Sequence, residues 1–293
     1  MANPSYNIKD VYSVFNKIDG EFGVTKQGKG LIEHTNGSIR KYCPRRNSQG
    51  YGTCFDYHQM ARSGVINLLD NLKDKNGLEY DKLAEYAILF LSYKLNQHSE
   101  QIYKSPNLNT FYNNHIQKNE YYNNMKIKDN GPTYKEIIDK KKDLMNIKEI
   151  SKFNGPFSIL VLLYNEIKKK DMDCTKCSQK ANDFAKNFEN LNEDSNINGN
   201  SSYSKLLSTL SNDYDNFKIY FAEKCSHCND LPILPKVKTP PSKLIPALST
   251  FSVIPVFLGI AYKYSLFGVD KLFQRQYIRK KLKKIKKSMK LNI

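Results

Sequence analysis

The hydrophobic pattern along this chain is dominated by helical spacing. Residues 80–97 place Leu83, Tyr86, Ala87, Phe90, Leu91 and Leu95 on one helix face. Thr133 with Glu136 has the form of a capping box that opens a helix through TYKEIIDKKKDLMNIKEI. Asn154-Gly155-Pro156 reads as a chain break, and residues 157–170 resume as a helix whose SILVLLY run is apolar all round and therefore central. Ala181, Phe184, Ala185, Phe188 and Leu191 form the next stripe. After the polar loop NEDSNINGN, the last stripe comprises Tyr203, Leu206, Leu207, Leu210, Tyr214, Phe217 and Phe221. Alternating strand patterns are poor, so the expected fold is an all-α helical bundle. No interval of about 20 to 50 residues repeats within the chain.

One stretch breaks this amphipathic rhythm. Residues 244–262, LIPALSTFSVIPVFLGIAY, are uncharged and bracketed by Lys243 and Lys263. As a helix they would span roughly 28 Å, close to the hydrocarbon thickness of a bilayer. Pro246 and Pro255 are tolerable there because Ser249, Thr250 and Ser252 can re-satisfy freed carbonyls. The expected order is a helical ectodomain at 1–230, a Pro-rich stiff stalk at 231–243, a transmembrane helix at 244–262 and a basic tail at 263–293.

Charge sets the expected orientation. The chain carries 46 basic and 29 acidic residues, net +17. From 263 onward there are eleven Lys or Arg against Asp270 alone, whereas only Lys236, Lys238 and Lys243 precede the span closely. The positive-inside rule then puts the C-terminus in the cytosol and the ectodomain on the far side. Within the tail, Ile278, Leu282, Ile285 and Met289 make one apolar stripe on a basic helix. Arg279, Lys280, Lys281, Lys283, Lys284, Lys286 and Lys287 are the candidate contacts to an anionic leaflet. The N-terminus shows no cleavable signal-peptide pattern, so the anchor is expected to double as the targeting signal. The chain is rich in Asn and uses 40 Lys against 6 Arg, with 20 Tyr and no Trp; this reads as AT-rich codon bias rather than function.

The six cysteines, Cys43, Cys54, Cys174, Cys177, Cys225 and Cys228, are an even set in a domain placed outside the cytosol, and they point to disulfides. Cys43 and Cys54 close a short Pro/Gly loop and can pair with one another. If the helices around NEDSNINGN pack antiparallel, the two C-x-x-C motifs meet at the open end. The nested pairing 177 with 225 and 174 with 228 is then favoured, and the crossed pairing 174 with 225 and 177 with 228 stays open. A four-thiolate zinc site, with His227 spare, is the competing reading. Its 47-residue gap exceeds the 15 to 20 of zinc ribbons.

Catalytic patterns are missing or weak. Gly28-Lys29-Gly30 lacks the rest of a dinucleotide or phosphate loop, and His34, His58, His98 and His115 are scattered without a recognisable partner. No catalytic activity, metal or cofactor is expected. Asn36 and Asn200 head glycosylation sequons, as chance allows in so Asn-rich a chain.

The segments YAILFLSYKLNQ, YKEIIDKKKDLM, CTKCSQKANDF, KLLSTLSNDYDNFK and IPVFLGIAYKYSLFGVDKLFQRQYIRKKLKKIKK resemble the Plasmodium interspersed repeat (PIR) family of variant surface antigens. The chain departs from the family at Phe90, where Trp is common, and at Val161 and Phe221, where Cys is common. If those two cysteines pair in relatives, their joint loss leaves an even set of six here. The resemblance implies a disulfide-stabilised helical ectodomain, one C-terminal anchor, and display on infected red-cell membranes in antigenic variation and immune evasion. Membrane lipid and a host cell-surface protein are the expected partners, without nucleic acid. The alternative, a basic intracellular zinc-binding nucleic-acid module, rests on pI 9.4 and the paired C-x-x-C motifs.

Overall fold

The computed structural model describes residues 6–28, 30–44, 47–101, 107–146, 148–225, 231–240 and 274–286. The chain divides into two compact units, 1–240 and 241–293. The candidate span 244–262 lies outside the described residues. No described helix is long and apolar enough to cross a membrane.

The first unit is mostly helical, with one β-hairpin. In chain order it runs α1 (Ile8–Asp19), β1 (Phe22–Gln27), β2 (Gly30–Thr35), α2 (Tyr57–Leu72), α3 (Tyr80–Gln101), α4 (Leu108–Phe111), α5 (Glu120–Asn124), α6 (Tyr134–Asp139), α7 (Asn154–Glu166), α8 (Cys174–Glu193), α9 (Ser195–Asn198) and α10 (Ser201–Lys224). Helical turns of other pitch cover Gly37–Tyr42, Tyr112–Ile116, Lys142–Asn146 and Lys148–Phe153.

The hairpin corrects the purely α expectation. Its strands pair antiparallel from Phe22 with Thr35 to Gln27 with Gly30, and Gly28 takes φ +61° in the tight turn between them. Only Phe22 at its base is buried, while 25–27 and 30–32 are exposed. Its outer half is wet on both faces and only Val24 beyond Phe22 packs on the core, so the strands show no alternation of apolar and polar residues, which is why the pattern hid them.

The central helix is α3. Residues 83–92 are buried without interruption, so α3 has no solvent face over nearly three turns. The expected centre, α7, buries Leu160, Val161, Leu163 and Tyr164 but leaves Leu162 51% exposed. Aromatic rings join the elements: Phe15 of α1 stacks on Phe90 of α3 at 5.8 Å and meets Phe157 of α7 edge-on at 5.2 Å, and Tyr12 stacks on Tyr164 at 4.2 Å.

Two helix boundaries also differ from the sequence pattern. The Thr133/Glu136 capping box forms, yet α6 ends at Asp139 and the chain continues in three-ten turns; Ile137, Ile138, Leu144, Met145, Ile150 and Phe153 are buried from this bent segment. Asn154-Gly155-Pro156 is the first turn of α7 rather than a break, since the missing proline N–H at that position would have had no helical partner.

Lys94 joins α3 to the α1–β1 corner. It is 2% exposed, and its Nζ donates to Asp19 Oδ1 at 2.7 Å and to the carbonyls of Asp19 and Phe22 at 3.2 and 2.9 Å. Burial draws its pKa below the ordinary lysine value, with Asp19 opposing.

Candidate functional site

The helices α7, α8 and α10 position a cysteine pair, the Pro-rich segment and a buried carboxylate. Asp173 caps α8 by accepting from the Lys176 N–H, and Asn200 caps α10 by accepting from the Ser202 and Tyr203 N–H groups. The helices run antiparallel over roughly 30 Å. Phe184 stacks on Tyr214 at 4.7 Å midway, and Cys174 is bonded to Cys225 at one end. α7 runs parallel to α10, with Phe153 stacked on Tyr203 at its start and Lys224 Nζ donating to the Ile167 carbonyl at its end.

The cysteine arrangement departs from the nested expectation. Cys225 is the C-cap of α10, beyond its last helical residue, and so lies level with Cys174 at the first position of α8, Cα to Cα 5.9 Å. Cys177 is a turn deeper, about 4.5 Å along the axis. It remains a buried free thiol, pushed up to about 11 by burial, with Glu166 of α7 and Asp173 adding to the shift. Cys228 lies outside the described residues. The 174–225 bond takes two of the four thiolates that a zinc site would need.

Cys43 and Cys54 are joined across the loop before α2, Cα to Cα 4.9 Å. The loop is folded tightly: a Cβ at Gly52 would lie 2.3 Å from the Cys43 carbonyl oxygen, so only glycine fits there.

The expected stalk does not leave the bundle over its described part. Residues 231–240, LPILPKVKTP, lie along the α8–α10 pair with Leu231 buried and Leu234 and Val237 packed on the core, whereas Ile233 is 87% exposed. The inward positions recur every three residues, the period of a polyproline II helix. Tyr214 Oη donates to the Pro232 carbonyl at 3.1 Å, and buried Asn192 holds the far end by donating to the Lys236 carbonyl at 2.9 Å and accepting from the Lys238 N–H at 2.8 Å. The segment is a strap. Residues 241–243 lie outside the described residues. Asn192, read from sequence as loop, is the last turn of α8 and the strap's clamp; nothing in its local pattern signals this.

Beneath these helices is a buried carboxylate that the helical stripe of α10 skipped. Asp213 accepts from Tyr12 Oη at 2.9 Å and from Tyr86 Oη at 2.9 Å, and Tyr164 Oη donates to its backbone carbonyl at 2.7 Å. Tyr6 extends the chain of hydroxyls through Tyr86 at 3.3 Å. Burial raises the Asp213 pKa to about 7 against the lowering effect of the two tyrosine hydroxyls and of Lys82, with Glu85 adding to the rise. A separate pairing joins the scattered histidines His58 and His115, which stack at 5.1 Å beside Phe111. Burial and then the neighbouring His58 and Arg62 lower the His115 pKa. His34 packs against Gly23 across the hairpin.

In the second unit, residues 274–286 form one helix with every side chain exposed. It carries Arg279, Lys280, Lys281, Lys283, Lys284 and Lys286, and Lys281 Nζ lies 5.7 Å from the Tyr277 ring centre. Lys287 lies outside the described residues.

A family model described as Plasmodium variant antigen protein Cir/Yir/Bir matches residues 12–263. The chain belongs to this family. Among solved structures, one titled "Structure of a Plasmodium PIR protein ectodomain" is similar over 78% of this chain and 100% of its own, at 32% identity and a TM-score of 0.54. No curated protein matches.

Proposed function

We propose that this Cir/Yir/Bir protein is a variant surface antigen displayed on infected red cells, in which the helical unit faces outward and meets a host cell-surface protein without catalysing a reaction. The observation that carries this reading is the family match, which runs through the helical unit and across the uncharged segment to residue 263. Residues 244–262 are the anchor and the basic tail is cytosolic, because eleven cations follow the segment and three closely precede it. The disulfides suit an oxidising exterior. Immune evasion follows from sequence change on a scaffold whose core tyrosines and Cys43–Cys54 bridge are buried, so exposed positions such as the hairpin tip can vary at little cost in stability.

Protease treatment of intact infected cells tests this. Antibody to residues 1–240 should lose its signal while a tag placed after residue 293 survives. Digestion of that tag in sealed cells would overturn the orientation, and an ectodomain signal unchanged by protease would overturn surface display.

A further inference from the structure

The tail helix 274–286 offers a division among its cations that the charge count hides. At about 100° per residue, Ile278, Leu282 and Ile285 fall within an arc of about 60°. Arg275, Arg279, Lys281 and Lys286 lie within about 95° of the centre of that arc, whereas Lys280, Lys283 and Lys284 lie about 125° or more from it. A helix lying in a membrane interface buries its apolar arc, so cations flanking the arc reach headgroup phosphates by snorkelling and those opposite it point into water.

We infer that Arg275, Arg279, Lys281 and Lys286 form the lipid-contacting face of the tail and grip the anionic headgroups of the leaflet, while Lys280, Lys283 and Lys284 face the aqueous phase. This rests on the anchored reading above. Charge complementarity chooses the occupant: the helix carries seven cations and no acidic side chain. The apolar arc is only three side chains wide, so adhesion depends mainly on charge. It is therefore released by salt or by loss of anionic lipid.

The full-length protein in lipid nanodiscs provides the test, because both leaflets are then accessible. Amine acylation is followed lysine by lysine by mass spectrometry in neutral phosphatidylcholine discs and in discs containing phosphatidylserine. In acidic discs Lys281 and Lys286 should react roughly fivefold more slowly, with Lys280, Lys283 and Lys284 little changed. That protection should vanish at about 0.5 M salt, where the screening length is roughly 4 Å. The R275Q/R279Q variant should weaken protection at Lys281 and Lys286; K280Q/K283Q/K284Q should not. Uniform protection of all five lysines overturns the face assignment while leaving adhesion to the leaflet standing. No difference between the two kinds of disc overturns both. Protection in neutral discs only on adding single-stranded RNA overturns the lipid occupant in favour of nucleic acid.

Discussion

Asp213 gives the sharpest test of how the core is held. Its pKa lies at about 7 in the folded protein and near the ordinary 3.8 when unfolded, so between those values the folded state binds more protons. The stabilisation linked to this proton is fully present below pH 3.8 and is lost as pH rises through about 7. A shift of about three units corresponds to roughly 4 kcal/mol. Acid also removes stability elsewhere, because ionised Glu85 is favoured: Lys82, Thr209 and Lys141 outweigh its burial and hold its pKa low. The comparison must therefore be a difference between two proteins. Asp213→Asn keeps the shape and an acceptor for the tyrosine hydroxyls but cannot ionise. Urea is preferred to guanidinium so that charge is not screened. Unfolding of residues 1–240 can be followed by far-ultraviolet circular dichroism, since the chain has no Trp. The stability of Asp213→Asn relative to the parent should rise by roughly 4 kcal/mol between pH 4 and pH 8, at up to about 1.4 kcal/mol per pH unit. Parallel pH profiles for the two proteins would refute a buried, reluctantly ionised Asp213. Asp213→Ala should be destabilised at every pH by roughly 1–3 kcal/mol for each stranded tyrosine hydroxyl.

The cysteine bridges should matter by loop length: about 4 kcal/mol for Cys174–Cys225 and about 3 for Cys43–Cys54 in the chain-entropy model. Reductant should lower the melting temperature and EDTA should leave it unchanged; the opposite result would restore the zinc reading. Asn192→Ala removes both hydrogen bonds to the strap and should cost roughly 1–3 kcal/mol. Hydrogen exchange at the Lys238 amide should quicken, and unchanged exchange there would refute the clamp. Lys94→Ala leaves Asp19 without its buried partner and opens a hole beneath Phe22, so a loss of about 3–5 kcal/mol is expected in denaturant titrations. A loss below about 1 kcal/mol would show that the pair is solvated.

The elements legible along the chain are those whose apolar residues repeat within one helix. The stripes of α3, α8 and α10 and the capping box of α6 rest on spacing that a single segment carries, and the short polar loop makes α8 and α10 antiparallel neighbours. Helical periodicity is local, since one neighbouring surface suffices to select it. Features that depend on several surfaces at once emerge only in the folded molecule. α3, rather than the more apolar α7, is enclosed on every side, and the Tyr12–Asp213–Tyr86 contact joins residues up to 201 positions apart. Cys225 pairs with Cys174 because α10 stops level with the start of α8, and a three-residue period of partly buried side chains turns the Pro-rich stretch into a strap. Each of these is fixed by what another segment presents across space, and no pattern along one stretch of chain contains that information.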